Sequence, residues 1–137
     1  MIEAIAPDRV AFVWPEAEPL LRKACDRTGE RTTHDVLVAL VSGNAQLWRV
    51  HSRAWAVSEI VNYPRKKVAN LTLVAGSGAP QWAHELQDAI VQWAKHYQAD
   101  EVRVVGRRGW LRWLPPHAET STVITLCLRQ SYRQPAP

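Results

Sequence analysis

Cysteine is scarce in this sequence. Only Cys25 and Cys127 occur in 137 residues. Two cysteines make no disulfide framework, and these two lack the paired spacing of a zinc site. Cys25 sits in LLRKACDR and Cys127 in the alternating run TVITLCLR. Cys127 reads as a small buried thiol and Cys25 as a helix-face residue, in a reducing, cytoplasmic setting. Phenylalanine is rarer still, with Phe12 alone. No apolar run approaches the roughly 20 residues of a bilayer-spanning helix, which excludes an integral membrane protein of that kind. The opening residues, MIEAIAPDRV, carry an early acid and no basic stretch, which argues against a secretory signal. The five histidines, His34, His51, His84, His96 and His117, show no metal-binding spacing. No phosphate loop of the Gly-Lys-Ser/Thr kind occurs, nor a Gly-x-Ser-x-Gly elbow.

What is present is an ordinary globular composition, 47% hydrophobic and 22% charged, in a length that suits one domain. Basic charge is concentrated at one end. Residues 102–137 hold six arginines against one acid, whereas residues 1–101 hold eleven bases against twelve acids. That end suits an acidic partner, either nucleic acid or a negative protein surface. Tryptophan is abundant, with seven in all. So many large rings suggest that one or two lie on an interaction surface.

Hydrophobic periodicity divides the chain into elements. Residues 15–31 predict a helix after Trp14-Pro15, with Gly29 near its C-terminal cap. Residues 33–42 predict a short helix capped by Thr32, with Asp35 completing a capping box. Three strands follow in quick order, 45–51, 54–63 and 68–75, as an antiparallel meander. Residues 80–97 place Trp82, Ala83, Leu86, Ala89, Ile90, Trp93, Ala94 and Tyr97 on one helical stripe. Either Ser77 or Gly78 serves as its N-cap. A strand at 102–106, a short helix or turn at 109–114, and a last strand at 120–128 complete the series. The tail, 129–137, reads as extended.

That order, α-α-β-β-β-α-β-α-β, with two local sequences, resembles the Gcn5-related N-acetyltransferase (GNAT) family. The first local sequence is the strand-to-helix turn Leu73-Val74-Ala75-Gly76-Ser77-Gly78-Ala79. The second is Gly106-Arg107-Arg108-Gly109-Trp110-Leu111-Arg112-Trp113-Leu114. The resemblance implies an α/β (α+β) fold: a mixed, mostly antiparallel sheet flanked by helices, forming a single domain over residues 1–128. It also implies a coenzyme A site, with Val74, Gly76, Ser77, Gly78 and Ala79 as cofactor-binding candidates. Backbone N–H groups at a helix start favour a pyrophosphate. The sequence departs from the family pattern at Leu73, where Gln or Arg is expected. No lysine or arginine occurs from Val68 to Gln92, and Pro80 removes one N–H. Glu59, the one acid within the meander, is the candidate general base. The stretch GWLRWLPPH holds no tyrosine to protonate a departing thiolate, and Tyr132 lies too late in the chain.

These departures favour a non-catalytic reading. Trp93-Ala94, Gln46-Leu47-Trp48, Tyr63-Pro64 and the Gly-Arg-Arg-Gly-Trp segment are similar to compact GNAT-like proteins of tailed bacteriophages. The resemblance implies a virion or assembly protein, for instance at the head-to-tail connector, that contacts other virion proteins or itself in an oligomeric ring. Its location would be the virion, or the host bacterial cytoplasm during assembly. Arg107, Arg108, Trp110, Arg112 and Trp113 form its expected contact patch. On that reading no cofactor is expected. The alternative is an acetyl-CoA-dependent N-acetyltransferase, which requires a cleft between the 68–75 and 102–106 strands. Assembly predicts that cleft closed or blocked, in an oligomeric or partner-bound protein. A second alternative is a nucleic-acid-binding module using the C-terminal arginines.

Overall fold

The computed structural model describes residues 1–106, 108–116, 118–121 and 123–128. A five-stranded sheet runs in the order β1-β2-β3-β4-β5. Its strands are β1 (Ile2–Ile5), β2 (Gln46–Val50), β3 (Ala54–Asn62), β4 (Lys67–Gly76) and β5 (Glu101–Val104). The first four pair antiparallel, and β5 joins β4 in parallel. The helices are α1 (Val10–Thr28), α2 (Thr33–Val41) and α3 (Ala79–His96), and a 3₁₀ turn spans Arg108–Trp113. This mixed α+β architecture agrees with the fold class read from the sequence. No described helix is long and apolar enough to cross a membrane.

Strand alternation sends side chains to two cores. On one face, Leu47, Trp55, Val57 and Leu73 pack with Val10, Ala17, Leu21, Val36 and Leu40 from α1 and α2. On the other, Trp48, Val50, Ala56 and Leu71 meet Trp82, Leu86 and Ile90 of α3. Leu71 and Leu73 thus face opposite ways but are separated by one residue, Thr72. The cause is a bulge: Val57 pairs Leu73 while Ser58 pairs Leu71, so Thr72 is the extra residue.

Local chemistry explains the helix ends. Gly29 closes α1 in the left-handed region at φ 69°, which a residue without Cβ adopts freely. Thr32 and Asp35 form the full capping box of α2.

Four expectations need correction. Helix α1 starts at Val10, five residues before Pro15, and carries Pro15 and Pro19 inside it. Each proline removes one ladder bond, yet the buried face at Val10, Ala17, Leu21 and Ala24 holds the helix on the sheet. Strand β1 escaped detection because it is four residues long, with no turn signal before it. The last strand expected at 120–128 is not formed in the described residues. Its apolar pattern is real, but no strand lies beside it, and a strand requires a partner. Cys127 is therefore exposed, while Cys25 lies on the buried face of α1. Arg107 and the tail 129–137 lie outside the described residues.

Candidate coenzyme cleft

The cleft is set by where β4 and β5 part. Their ladder pairs Val68 with Glu101 through Leu71 with Val104. One more bond follows, Val105 N–H to Leu71 O at 3.2 Å. Thr72, the bulge residue, comes next. Beyond it β4 runs on to Gly76 with no strand on that side among the described residues. This is where the acetyltransferase alternative read from the sequence expects its cleft.

The hydrogen-bonding phase of β4 decides which groups face the opening. Ser77 N–H donates to Arg53 O across the β3–β4 pair at 3.3 Å. Trp55 opposite Ala75 and Val57 opposite Leu73 continue that phase. Antiparallel ladders alternate inward and outward groups. The backbone groups of Val74 and Gly76 therefore point to the open edge.

At the end of β4, the turn Gly76-Ser77-Gly78 leads into α3. Gly76 has φ 138°. A Cβ there would stand 2.3 Å from Arg53 O and 2.5 Å from Ala54 Cα, so only glycine permits this approach. Trp82 Nε1 donates to Ser77 O at 2.8 Å and fixes the turn from the α3 side. Gly78 caps α3 at φ 84°, with Pro80 in the first turn. Gln81 N–H donates back to Gly78 O at 2.9 Å. The N–H groups of Gly78 and Ala79 have no internal acceptor among the described residues. They lie where an α-helix concentrates partial positive charge.

Sequence reasoning missed the cation of this site. Arg53, in the β2–β3 turn, reaches over Gly78: a Cβ on Gly78 would lie 3.1 Å from both Arg53 Cδ and Arg53 Nη1. Arg53 makes no ion pair among the described residues. It is 25 residues away in sequence, so a scan of the segment around the turn passes it by. The usable signal was the hairpin register, which sets Ala54 opposite Gly76.

Glu59 lies on the α1–α2 face at the start of the opening. Its Oε1 accepts from Thr72 Oγ1 at 2.8 Å and from Arg31 Nη1 at 3.2 Å. It is thus one hydrogen bond from the bulge residue at which β4 and β5 separate. Oε2 has no partner among the described residues. Beside Glu59 in the ladder, Asn70 has a buried Oδ1 without a hydrogen bond.

The arginine–tryptophan segment is arranged differently from the expected outward patch. Trp110 is half-buried, 6.1 Å from the ring of Trp82, and so ties the 3₁₀ turn after β5 to α3 after β4. Trp113 is half-buried and meets His84 edge-on at 6.2 Å. Arg112 is exposed beside Trp113. For Arg108 only the backbone is described, as part of the 3₁₀ turn. The rings are structural contacts of the cleft's two arms.

Comparison with known proteins adds the fold family. No family model matches the chain, and no curated protein does. Among solved structures, an aminoglycoside acetyltransferase from an uncultured soil metagenomic sample, solved with sisomicin, superposes with a TM-score of 0.66. Identity is 14%, covering 94% of this chain and 96% of that one. A ribosomal-protein-alanine N-acetyltransferase from Brucella melitensis biovar Abortus 2308 gives 0.61 at 12% identity, covering 92% and 99%. A predicted acetyltransferase from Clostridium acetobutylicum, solved with acetyl-CoA, gives 0.62 at 12% identity, covering 93% and 95%. The fold is GNAT-like. These identities carry the fold alone. None of the three neighbours is described as a virion or connector protein. The GNAT-like fold places the divergent strands and the glycine turn at one end of the sheet.

Proposed function

We propose that the chain binds a coenzyme A thioester in the β4–β5 opening and transfers its acyl group to an amine. The observation that carries this reading is the Arg53 guanidinium over Gly78, beside the unbonded N–H groups of Gly78 and Ala79. A cation and free N–H donors at a helix start suit a pyrophosphate. The outward backbone groups of Val74 and Gly76 suit the amide-bearing arm of the same molecule, by strand-like pairing.

The chemistry balances without a resident cofactor. The neutral amine attacks the thioester carbonyl, the C–S bond breaks, and the thiolate leaves. Glu59, through Oε2 and a water, accepts the amine's proton. The 3₁₀ turn carries no hydroxyl for the thiolate, so solvent supplies that proton.

The non-catalytic assembly reading predicts a closed or blocked cleft; the β4 edge past Thr72, unpaired among the described residues, supports the coenzyme reading instead. The nucleic-acid reading gains no new support, because the Trp110 and Trp113 rings turn toward α3 instead of offering stacking platforms.

Thiol release from acetyl-CoA, measured against a panel of primary amines, tests the reaction. Amine-dependent release that falls at least tenfold in Glu59→Gln supports it. No release with any amine, from protein that binds acetyl-CoA, would reduce the proposal to binding alone.

A further inference from the structure

A row of polar side chains crosses the sheet at Glu59. The ladders set Glu59 of β3 opposite Asn70 of β4, and Asn70 opposite Arg103 of β5. Val102 and Val104, on either side of Arg103, pack on the α3 core. The row therefore faces the α1–α2 side. Arg31, in the turn between α1 and α2, reaches the same row and pairs with Glu59 at 3.2 Å.

The two cations of this row are not alike. Arg103 Nε donates to Glu101 at 2.7 Å, and its guanidinium lies over the Tyr63 ring at 5.4 Å. It also stands two strands from Glu59, about 10 Å at the usual strand spacing. Arg31 touches Glu59 through Nη1, and its Nε and Nη2 have no acceptor among the described residues. Both members of the pair are partly open, at 30% and 24% exposure. Unused N–H donors of Arg31 and the unused Oε2 of Glu59 thus belong to one ion pair. Asn70 adds a buried Oδ1 that lacks a hydrogen bond. A buried acceptor without a donor points to a donor from outside the chain.

We infer that the Arg31–Glu59 pair selects α-amino acids as the acyl acceptor, an inference that rests on the acyl-transfer reading above. An α-amino acid carries its ammonium and its carboxylate on one carbon, so its two charges match a contact ion pair in spacing and oppose it in sign. Its carboxylate takes the open N–H groups of Arg31, whose planar fork suits a carboxylate. Its ammonium turns to Glu59 Oε2 and the water there. A simple amine brings only the cation and meets Arg31 as a like charge, which selects against it. Arg103 is too far from Glu59 to serve an acceptor whose two charges share one carbon. In the step itself the ammonium gives one proton to Glu59 through the water. The nitrogen lone pair forms the C–N bond, the C–S pair leaves on the thiolate, and the nitrogen loses its second proton to solvent as solvent protonates the thiolate. The products are an N-acyl amino acid, free coenzyme A and one proton. Arg31 holds the substrate and takes no part in the bond changes.

The test measures thiol release from acetyl-CoA by the full chain. A panel of α-amino acids is run, each beside its decarboxylated amine and its α-carboxamide. The expected result is turnover of an amino acid with a KM roughly tenfold or more below those of both analogues. Arg31→Ala should raise the amino acid's KM by about the same factor and leave that of the decarboxylated amine nearly unchanged relative to it. Any effect passed on through Glu59 moves both substrates together, so the ratio reports the carboxylate contact. Arg31→Lys keeps the charge without the fork and should restore part of the difference, which also covers a folding defect in the alanine variant. Decarboxylated amines used as well as amino acids would overturn the inference and leave the transfer reading standing. So would equal use of the carboxamides, which stand in for a peptide N-terminus. Silence of every amine would remove the transfer reading, and calorimetric titration of amino acids into the chain with coenzyme A present then decides. Uptake weakened by Arg31→Ala sustains the α-amino acid site. No uptake at millimolar concentration overturns it.

Discussion

The Arg53 side chain occupies the space that a side chain on Gly78 would fill. A methyl there would come within 3.1 Å of Arg53 Nη1, although the two residues belong to different turns. The β2–β3 turn thereby supplies a cation that the segment around α3 lacks.

Replacing Arg53 should weaken coenzyme binding without unfolding the protein, since its side chain is exposed and makes no ion pair among the described residues. A charged hydrogen bond to phosphate at a solvated site contributes about 1.5 kcal/mol, roughly tenfold in Kd. Calorimetric titration of Arg53→Ala with acetyl-CoA should show that loss at an unchanged Tm. Raising the salt concentration should narrow the gap.

Gly76 should be more sensitive to substitution than Gly78. Any Cβ at Gly76 meets backbone atoms of Arg53 and Ala54, which cannot move without breaking the β3–β4 pairing. Gly76→Ala should cost roughly 1–3 kcal/mol in thermal unfolding. Gly78→Ala meets the flexible ends of Gln81 and Arg53 and carries strain from φ 84°. It should lower coenzyme affinity more than stability, by displacing Arg53.

Trp82 holds the turn through one hydrogen bond. Trp82→Phe keeps an aromatic ring in the α3 core but loses Nε1–H to Ser77 O. Stability should fall by about 0.5–1.5 kcal/mol for that bond. Coenzyme affinity should fall too, because the N–H groups of Gly78 and Ala79 lose their fixed aim. Hydrogen exchange at the turn reads this directly.

The α2 capping box gives a pH-dependent test of the scaffold. Thr32→Ala should cost about 1 kcal/mol. The Asp35 carboxyl is held below its usual range, chiefly by the Thr32 backbone N–H and then by its hydroxyl. Glu85 and Glu101 are also lowered, first by His51 and Arg103 respectively. A folded-state pKa below the unfolded one stabilises above the usual carboxylate range, and that gain disappears as pH falls through the folded value. Stability should therefore decline on the acid side. The difference between wild type and Asp35→Asn should shrink there, as seen by denaturant titration across pH.

Much of the fold was legible because its signals are local. The stripe from Trp82 to Ala94 and the capping box at Thr32 each depend on residues within one helix. The glycine turn was legible for the same reason. What escaped was non-local. Arg53 joins the site through hairpin register, and although Glu59 was legible as a candidate base, its hydrogen bond to the bulge residue Thr72 was not. Four residues of β1 carry too little pattern to read. At the other end of the chain, 120–128 shows how a genuine strand pattern overstates the result when no partner strand is present.

The most direct measurement is calorimetric titration of the full chain with acetyl-CoA, wild type beside Arg53→Glu. We expect binding in the micromolar range at one ligand per chain, strongly weakened by the charge reversal. Wild-type protein that takes up no ligand at millimolar concentration would contradict the coenzyme site. So would binding that is indifferent to Arg53.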